Sequence, residues 1–436
     1  MTVREIALKL LCEIDECGKF ANLAISSHLT DSLSKKDKAI VTALVYTAVE
    51  HKITYDYYIG YLSGRSIGDI APRVKNILRL GLCQLLDMRS VPDFAAVSET
   101  VKLSKNQGER AFVNGVLRRA AREKDALPLP DRKKNAARYL SVKYSYPQAT
   151  VKRFIEALGE DECERLLLAF DAANYTDITV NTIKITPEEL CDRLISDGYA
   201  AEVSRLSPIT VRISGSCDPR ELYGFSDGLF FVEDTASAVA AKALGAREGH
   251  LLIDVCSAPG GKSFAAAILA NDKARIYSFD LHASKLSLIE SGRDRLGLTS
   301  VTVAEQDATK PREELIGRAD RVICDVPCSG LGVLAKKPDL RYKDVDKVEE
   351  LATLGREILE QSARYLKVGG VLAYSTCTLE RRENTDNVSS FLASHPEFSA
   401  VDFSVGELSS TGGELTLYPH VHATDGFYIA LIKRNR

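Results

Sequence analysis

Two cysteines stand where a thiol can do chemistry. Cys328 lies in Asp325-Val326-Pro327-Cys328-Ser329-Gly330, directly after the apolar run Arg321-Val322-Ile323-Cys324. Cys377 lies in Tyr374-Ser375-Thr376-Cys377-Thr378, after Gly370-Val371-Leu372-Ala373. In an open α/β sheet, ligands bind outside the carboxyl ends of the strands, so both thiols are expected to reach one crevice. Thiolate is a strong nucleophile once its pKa is lowered. A lone free cysteine is by default a small buried hydrophobe. Two of them at strand ends, beside a ligand loop, reverse that preference.

The ligand loop is Cys256-Ser257-Ala258-Pro259-Gly260-Gly261-Lys262, between a strand-like run ending at Asp254 and a helical segment. Its glycines let backbone amides approach a ligand at a helix N-terminus. A phosphate-cradling Walker loop would need Gly where Cys256 stands, and a dinucleotide fingerprint would need a third glycine. Acids follow at successive strand ends: Asp280, Asp307 and Asp325. Asp280 sits where a carboxylate commonly catches ribose hydroxyls, and Asp307 is placed for an adenine amino group. Three acids at three strand ends argue for a nucleoside ligand with no phosphate requirement. S-adenosylmethionine, with ribose, adenine and a sulfonium, fits.

Thiols beside such a ligand suggest one reaction. Carbon-5 of cytosine is a poor nucleophile. Attack of a thiolate on carbon-6 makes carbon-5 enamine-like and able to accept a methyl group. A base then removes the carbon-5 proton and the thiolate leaves, so one hard step becomes several easier ones. Asp325 is placed to hydrogen-bond the ring near N3. Spacing alone does not select which of Cys328 and Cys377 attacks.

The elements that must position these residues are legible as periodicity. From about Thr235, strands are expected at 250–255, 275–279, 300–304, 320–325, 370–375 and 426–432, with helices at 262–270, 283–296, 347–366 and 383–394. That alternation predicts an α/β fold with a mostly parallel, doubly wound sheet. Residues 1–125 read as helices, with apolar positions such as Ile40, Leu44, Val45 and Val49 at helical spacing. Arg73 to Met88, Val97 to Ser104 and Ala111 to Arg122 continue the pattern, and the last carries Arg118, Arg119 and Arg122, a cluster able to track phosphates. Ala126 to Asp131 reads as a linker. Residues 131–234 add a short helical stretch and a small α+β module. Its strands are expected at Ile178–Ile185 and Ile209–Ile213, with Pro187 opening the helix between them. Residues 235–436 form the third part.

Composition bounds the reading. The chain has 436 residues, 45% of them hydrophobic and 27% charged, which suits a globular protein with a core. No run approaches the ~18 apolar residues of a membrane span, and charged residues interrupt the first twenty, so a cytoplasmic location is expected. The ten cysteines show no Cys-x-x-Cys pair, and the seven histidines lack partners at ligand spacing, so neither a disulfide framework nor a metal is expected. The net charge of −3 hides an asymmetry: residues 1–150 carry 24 Lys+Arg against 16 Asp+Glu, a balance of +8, and the remainder carries −11. A basic N-terminal third suggests a polyanionic partner, although a solvated helical surface would look the same.

The motifs resemble those of a known family. Asp325-Val326-Pro327-Cys328-Ser329-Gly330-Leu331-Gly332, Ser375-Thr376-Cys377-Thr378 and Ser257-Ala258-Pro259-Gly260-Gly261-Lys262 look like signature segments of RNA (cytosine-5) methyltransferases, and among them of the bacterial 16S rRNA methyltransferase B (Sun/Fmu) group. Val232-Glu233-Asp234-Thr235-Ala236-Ser237 and Asp425-Gly426-Phe427-Tyr428 also fit. Ala95 to Val101 and Phe112 to Arg118 are similar to that group's NusB-like RNA-binding domain. The resemblance runs almost end to end. It implies a Rossmann-like class I methyltransferase domain at 235–436, behind an all-α NusB-like domain at 1–125. It implies S-adenosylmethionine held by Cys256 to Lys262, Asp280, Asp307 and Asp325, with 16S rRNA as the partner and a monomer as the working form. It also implies Cys377 as the nucleophile, with Cys328 assisting proton removal or release of the enzyme–RNA adduct. The family often has Arg-x-Asn where this chain has Thr179-Val180-Asn181, and a Trp after a Pro near Pro147, whereas this chain has no Trp. Two other readings are a tRNA methyltransferase and an RNA-binding assembly or transcription factor without catalysis.

Overall fold

The computed structural model describes every residue except 18, 20, 29–32, 89, 216, 337 and 343–346. The described chain divides into two compact units. One is Met1–Asp171 with Lys336–Lys343, and the other is Ala172–Ala335 with Asp344–Arg436.

The first unit is helical. Its helices include Val3–Cys17, Lys35–Glu50, Lys52–Ser63, Pro72–Leu86, Asp93–Val101, Gln107–Glu123, Ala136–Tyr144 and Gln148–Leu158. Asn106 and Asn135 start two of them by accepting the amides of Glu109 (2.9 Å) and Arg138 (2.8 Å), which satisfies donors the helix itself leaves open. Helix Pro72–Leu86 is buried from Ile77 to Leu85 on every side, as expected of a helix at the centre of a core. Within it, Arg79 is 4% exposed and donates to Asp15 and Asp56 at 2.6 and 2.7 Å. Arg341, from the inserted segment, is fully buried. It donates to Glu50 (2.7 Å) and Asp171 (3.0 Å) and lies 4.2 Å from the centre of the Tyr146 ring.

The second unit begins with a small antiparallel sheet of strands β1 (Tyr175–Val180), β2 (Ala201–Val203), β3 (Thr210–Ser214) and β4 (Phe230–Val232), in the order β2-β3-β1-β4. Helix Pro187–Ser196 packs on it through Leu190 and Leu194, which meet Ile178, Val180, Val211 and Phe230. Thr186 and Glu189 cap that helix reciprocally. The expected strand Ile178–Ile185 stops at Val180. Asn181 turns the chain there: its carbonyl accepts the Lys184 amide at 2.9 Å, and its side chain donates to the carbonyls of Gly228 (3.0 Å) and Leu296 (3.1 Å).

The larger sheet contains β5 (Leu251–Asp254), β6 (Arg275–Asp280), β7 (Val301–Glu305), β8 (Ala319–Asp325), β9 (Leu366–Thr376) and β10 (Phe398–Ala400). After a two-stranded ribbon, β11 (Ser404–Val405) and β12 (Leu408–Ser409), it is completed by β13 (Glu414–Leu417) and β14 (Phe427–Arg434). The order is β10-β14-β9-β8-β5-β6-β7, with β13 beside β14. Strands β5 to β9 pair in parallel, and β14 runs antiparallel to β9. Helices Gly261–Leu269, Ala283–Leu296, Val348–Ala363 and Thr385–Ser394 fill the crossovers. Side chains alternate between the two faces. Val322, Leu372 and Tyr374 enter one apolar cluster, while Ile323 and Ala373 enter another. Both faces are therefore covered, which is why these strands read as unbroken apolar runs. The order reverses at β5, flanked by β6 and β8, and the crevice belongs at the carboxyl ends there.

Among the described residues, no helix is long and apolar enough to cross a membrane, and no group of three or more His, Cys, Asp or Glu is arranged to hold a metal ion.

Candidate active site

Strands β8 and β9 are parallel neighbours with Asp325 opposite Ser375. Their continuations bring Cys328 and Cys377 together, with the sulfurs 3.2 Å apart. Both residues are half-buried. The Cys328 loop is tied back by the Gly332 amide, which donates to the Cys377 carbonyl at 3.0 Å. Gly332 must be glycine, because a Cβ there would lie 1.9 Å from the Gly426 carbonyl oxygen. The hydrogen bond with the Cys377 sulfur, and then burial, push the Cys328 thiol well above its ordinary range. Burial also raises Cys256 and takes Cys324 to about 12, so these two neighbours are poor nucleophiles.

Asp325 is fixed on both oxygens. Ser375 Oγ donates to Oδ1 at 2.6 Å, and Lys262 Nζ donates to Oδ2 at 2.7 Å. Lys262 lies 5.1 Å from the centre of the Phe427 ring. Burial works against its charge, but Asp325 and Glu233 outweigh burial and raise its pKa. Glu233 is itself buried, accepts from Ser237 (2.8 Å) and Thr179 (3.1 Å), and has its pKa raised by burial. Thr179, in the triplet that departs from the family pattern, thus braces an acid beside Lys262.

The loop Cys256–Lys262 leaves β5 and enters helix Gly261–Leu269. Gly260 has φ +112°, and a Cβ there would lie 2.3 Å from Phe264 Cζ. The Ser257 amide donates to the Phe279 carbonyl at 2.7 Å, and the Gly260 amide to the Ser257 carbonyl at 2.6 Å. The peptide Ala258–Pro259 is cis. Asp280, at the end of β6, accepts the amides of Ala258 (3.2 Å) and His282 (3.1 Å). Asp307 lies past β7. Its Oδ1 accepts the Thr309 amide and hydroxyl, and its Oδ2 pairs with Lys310 at 3.1 Å; the Thr309 bonds lead in lowering its pKa. Asp254 accepts from Ser263 Oγ at 2.7 Å, and burial pushes its carboxyl up to about 7. Its Oδ1 and Ser257 Oγ are buried without a hydrogen-bond partner.

The loop, Asp280 and Asp325 are therefore linked by hydrogen bonds around the end of β5, and Asp325 and its partner Ser375 stand at the strand ends that lead to the two cysteines. Asp307 is held in a local turn instead. Glu233, Asp254 and Glu383 carry buried carboxyls here that the motif spacing did not single out. Glu233 lies inside the quoted Val232–Ser237 segment, so that segment held its signal.

In the helical unit, Arg119 donates to Glu123 (3.1 Å) and to the Leu62 carbonyl (2.9 Å), and Arg122 donates to Glu123 (3.1 Å). Of the expected basic cluster, Arg118 lines a groove of about 810 Å³ with Phe94, Val97, Val101, Arg110 and Asn114.

The model of the family described as 16S rRNA methyltransferase RsmB/F matches residues 241–433. The NusB family matches residues 1–122, and the ferredoxin-like domain of RsmF/B-like methyltransferases matches 146–220. The probable ribosomal RNA small subunit methyltransferase B of Bacillus subtilis (strain 168) is 33% identical, over 99% of each chain. The chain belongs to the ribosomal RNA small subunit methyltransferase B family. The Synechocystis member of the family (strain ATCC 27184 / PCC 6803 / Kazusa), also called probable, is 34% identical over the full length of both chains. The solved structure of PH0851 has a TM-score of 0.80 at 27% identity, covering 100% of this chain and 99% of that one. NSun6 from Pyrococcus horikoshii, solved with SFG, has a TM-score of 0.62 at 23% identity, covering 67% and 99%; that likeness is one of fold. Family membership accounts for the NusB-like helices, the ferredoxin-like sheet and the Rossmann-like methyltransferase sheet in one chain.

Proposed function

We propose that this chain methylates carbon-5 of a cytosine in 16S rRNA, through a covalent bond between Cys377 Sγ and carbon-6 of the base. The observation that carries the reading is the pair of sulfurs at 3.2 Å, at adjoining strand ends beside Asp325. Either sulfur can donate across this contact; Cys377 is taken as the attacking sulfur because Ser375-Thr376-Cys377-Thr378 is similar to the family's signature segment.

The cofactor is S-adenosylmethionine, which supplies an electrophilic methyl group. The strand ends fit it: the Ser257 hydroxyl and Asp254 Oδ1 are buried and unpartnered, and Asp280 is held against the loop by the Ala258 amide. Cys256, Ser257, Ala258, Pro259, Gly260, Gly261 and Lys262 would hold it, with Asp280 at the ribose and Asp307 and Asp325 nearby. Asp325, locked by Ser375 and Lys262, hydrogen-bonds the base near N3. Once carbon-5 carries the methyl group and loses its proton to a base, the bond from Cys377 to carbon-6 breaks and the 5,6 double bond returns. The Cys328 thiol donates to the departing Cys377 sulfur, which speeds release. The target base must leave its stack to reach the thiols, which suits protein-poor rRNA. Residues 1–125 engage that RNA, 131–234 carry the intermediate module, and 235–436 catalyse.

The test is in two parts. Cys377→Ala should abolish methyl transfer, and Cys328→Ala should accumulate an RNA–protein adduct that survives denaturation. A nucleotide-resolved map of 5-methylcytosine in cells with and without the gene should show one mark lost from small-subunit rRNA. Transfer retained by Cys377→Ala would refute the role of that residue, and a mark lost from tRNA would move the substrate.

A further inference from the structure

The residues that follow the two cysteines, Ser329 and Thr378, are 49 positions apart, yet their hydroxyl oxygens lie 2.8 Å from each other. A third residue secures them. Glu383 is 1% exposed, and both its carboxylate oxygens meet Ser329, with Thr378 also bonded to the carboxylate. The Ser329 amide donates to Oε1 at 2.8 Å, and the Ser329 hydroxyl donates to Oε2 at 2.5 Å. A two-point clamp of this kind fixes orientation as well as distance.

The loop that carries Glu383 is itself anchored to the Cys377 strand. The Tyr374 hydroxyl donates to the Glu383 carbonyl at 2.6 Å. Next to it, Asn384 Nδ2 donates to the Thr378 carbonyl at 2.9 Å, and Asn384 Oδ1 accepts from Thr376 Oγ1 at 2.5 Å. Both neighbours of Cys377 are thus held by Asn384, and the neighbour of Cys328 is held by Glu383. The Gly332–Cys377 backbone bond ties the same two loops at a second point. A glutamate kept for solubility would sit in water. This one is buried against the loops that carry the two sulfurs.

We propose that Glu383 is the positioning residue of the two-thiol site: through Ser329 it locks the Cys328 loop to the Cys377 loop, so that Cys328 stays within hydrogen-bond reach when the adduct must be released. The proposal rests on the covalent reading above. Glu383 acts through Ser329 and is given no contact with the base.

Glu383→Gln tests it with little change of shape. Glutamine puts an NH2 donor where Oε2 accepted, so the Ser329 hydroxyl must reverse its bond and lose its carboxylate acceptor, which weakens the clamp. The full-length protein is assayed on a 16S rRNA transcript with methyl-labelled S-adenosylmethionine. Turnover should fall about 100-fold, the order expected from misplacing a reacting group by about 1 Å. KM for the transcript should stay unchanged, and the denaturation-resistant adduct should rise. Ser329→Ala keeps the amide bond and removes the hydroxyl bond, so its turnover should fall about tenfold, with the same excess of adduct; it serves if Glu383→Gln fails to fold. Glu383→Asp restores two acceptors and should recover part of the loss. Wild-type turnover in both Glu383→Gln and Ser329→Ala overturns the proposal. So does a loss that only tracks a lowered melting temperature, with KM rising and no excess adduct. A wild-type protein that puts no methyl on cytosine overturns the covalent reading, and the proposal with it.

Discussion

Each unit buries a charged cluster, and the two clusters are built differently. In the helical unit, Arg79 spends one guanidinium edge on Asp56, at 2.7 Å through both Nε and Nη2, and Nη1 on Asp15 and Asn76. Asp15 takes a second cation, Lys52, at 2.7 Å. Two cations meet two carboxylates. In the catalytic unit, Lys262 stands alone among Asp325, Glu233 and Asp254. Burial raises the pKa of Glu233 and takes Asp254 to about 7, and Asp254 keeps an oxygen without a partner. A closed cluster holds helices in place. A cluster with surplus acid and an open oxygen, at the ends of parallel strands, is arranged for something that arrives.

Three substitutions separate the two designs. The largest effect is expected from Lys262→Met. It removes the cation paired with Asp325 in the acid-rich cluster, so methyl transfer should fall by about 100- to 1,000-fold, the size seen when one preorganised electrostatic partner is removed. A filter assay with labelled methyl donor reads this directly. Arg79→Met should instead cost stability. Breaking one side of a buried ion network costs about 3–5 kcal/mol, visible in urea unfolding, while the folded fraction still transfers methyl groups. If Arg79→Met spares stability and kills activity, the contrast drawn above is wrong.

The smallest effect is a pH dependence. The Asp254 carboxyl titrates near 7 in the fold, against about 3.9 in an unfolded chain. The folded protein therefore holds this proton more tightly. The stability this group contributes is greatest below about pH 4 and is lost as pH rises towards 7. Asp254→Asn cannot ionise, so the difference in urea midpoint between variant and wild type should grow from pH 5 to pH 8. An unchanged difference would show that Asp254 does not titrate in that range.

The sheet was legible because its strands are buried on both faces. Runs such as Val322 to Cys324 and Val371 to Tyr374 carry apolar residues to either side and then end at once on Asp325 or Ser375. The three-residue strands β2 and β4 escaped, because so short a run has no period to detect; their place is set by pairing with β3 and β1. The antiparallel additions β10 and β13 are likewise short, and β14 supplies their register. At the site, motif spacing found the sulfurs, the loop and the acids at strand ends. It did not find Glu383, since its partner Ser329 is 54 positions away and nothing local marks a carboxyl that the fold will bury. Asn181 shows the converse. It was read as part of a strand, yet its amide bonds to Gly228 and Leu296 end that strand.

The segment Lys336–Lys343 has a bearing on how this protein can be taken apart. By sequence it lies between β8 and helix Val348–Ala363 of the catalytic unit, yet it belongs to the helical one. There the Arg341 guanidinium is the counter-charge of Glu50 and Asp171, and the Tyr342 hydroxyl donates to the Val49 carbonyl at 2.7 Å. A fragment cut after residue 171 would leave Glu50 and Asp171 without the buried guanidinium they share. The N-terminal helices are therefore not an interchangeable cassette. Swapping them between relatives requires carrying this short strap along.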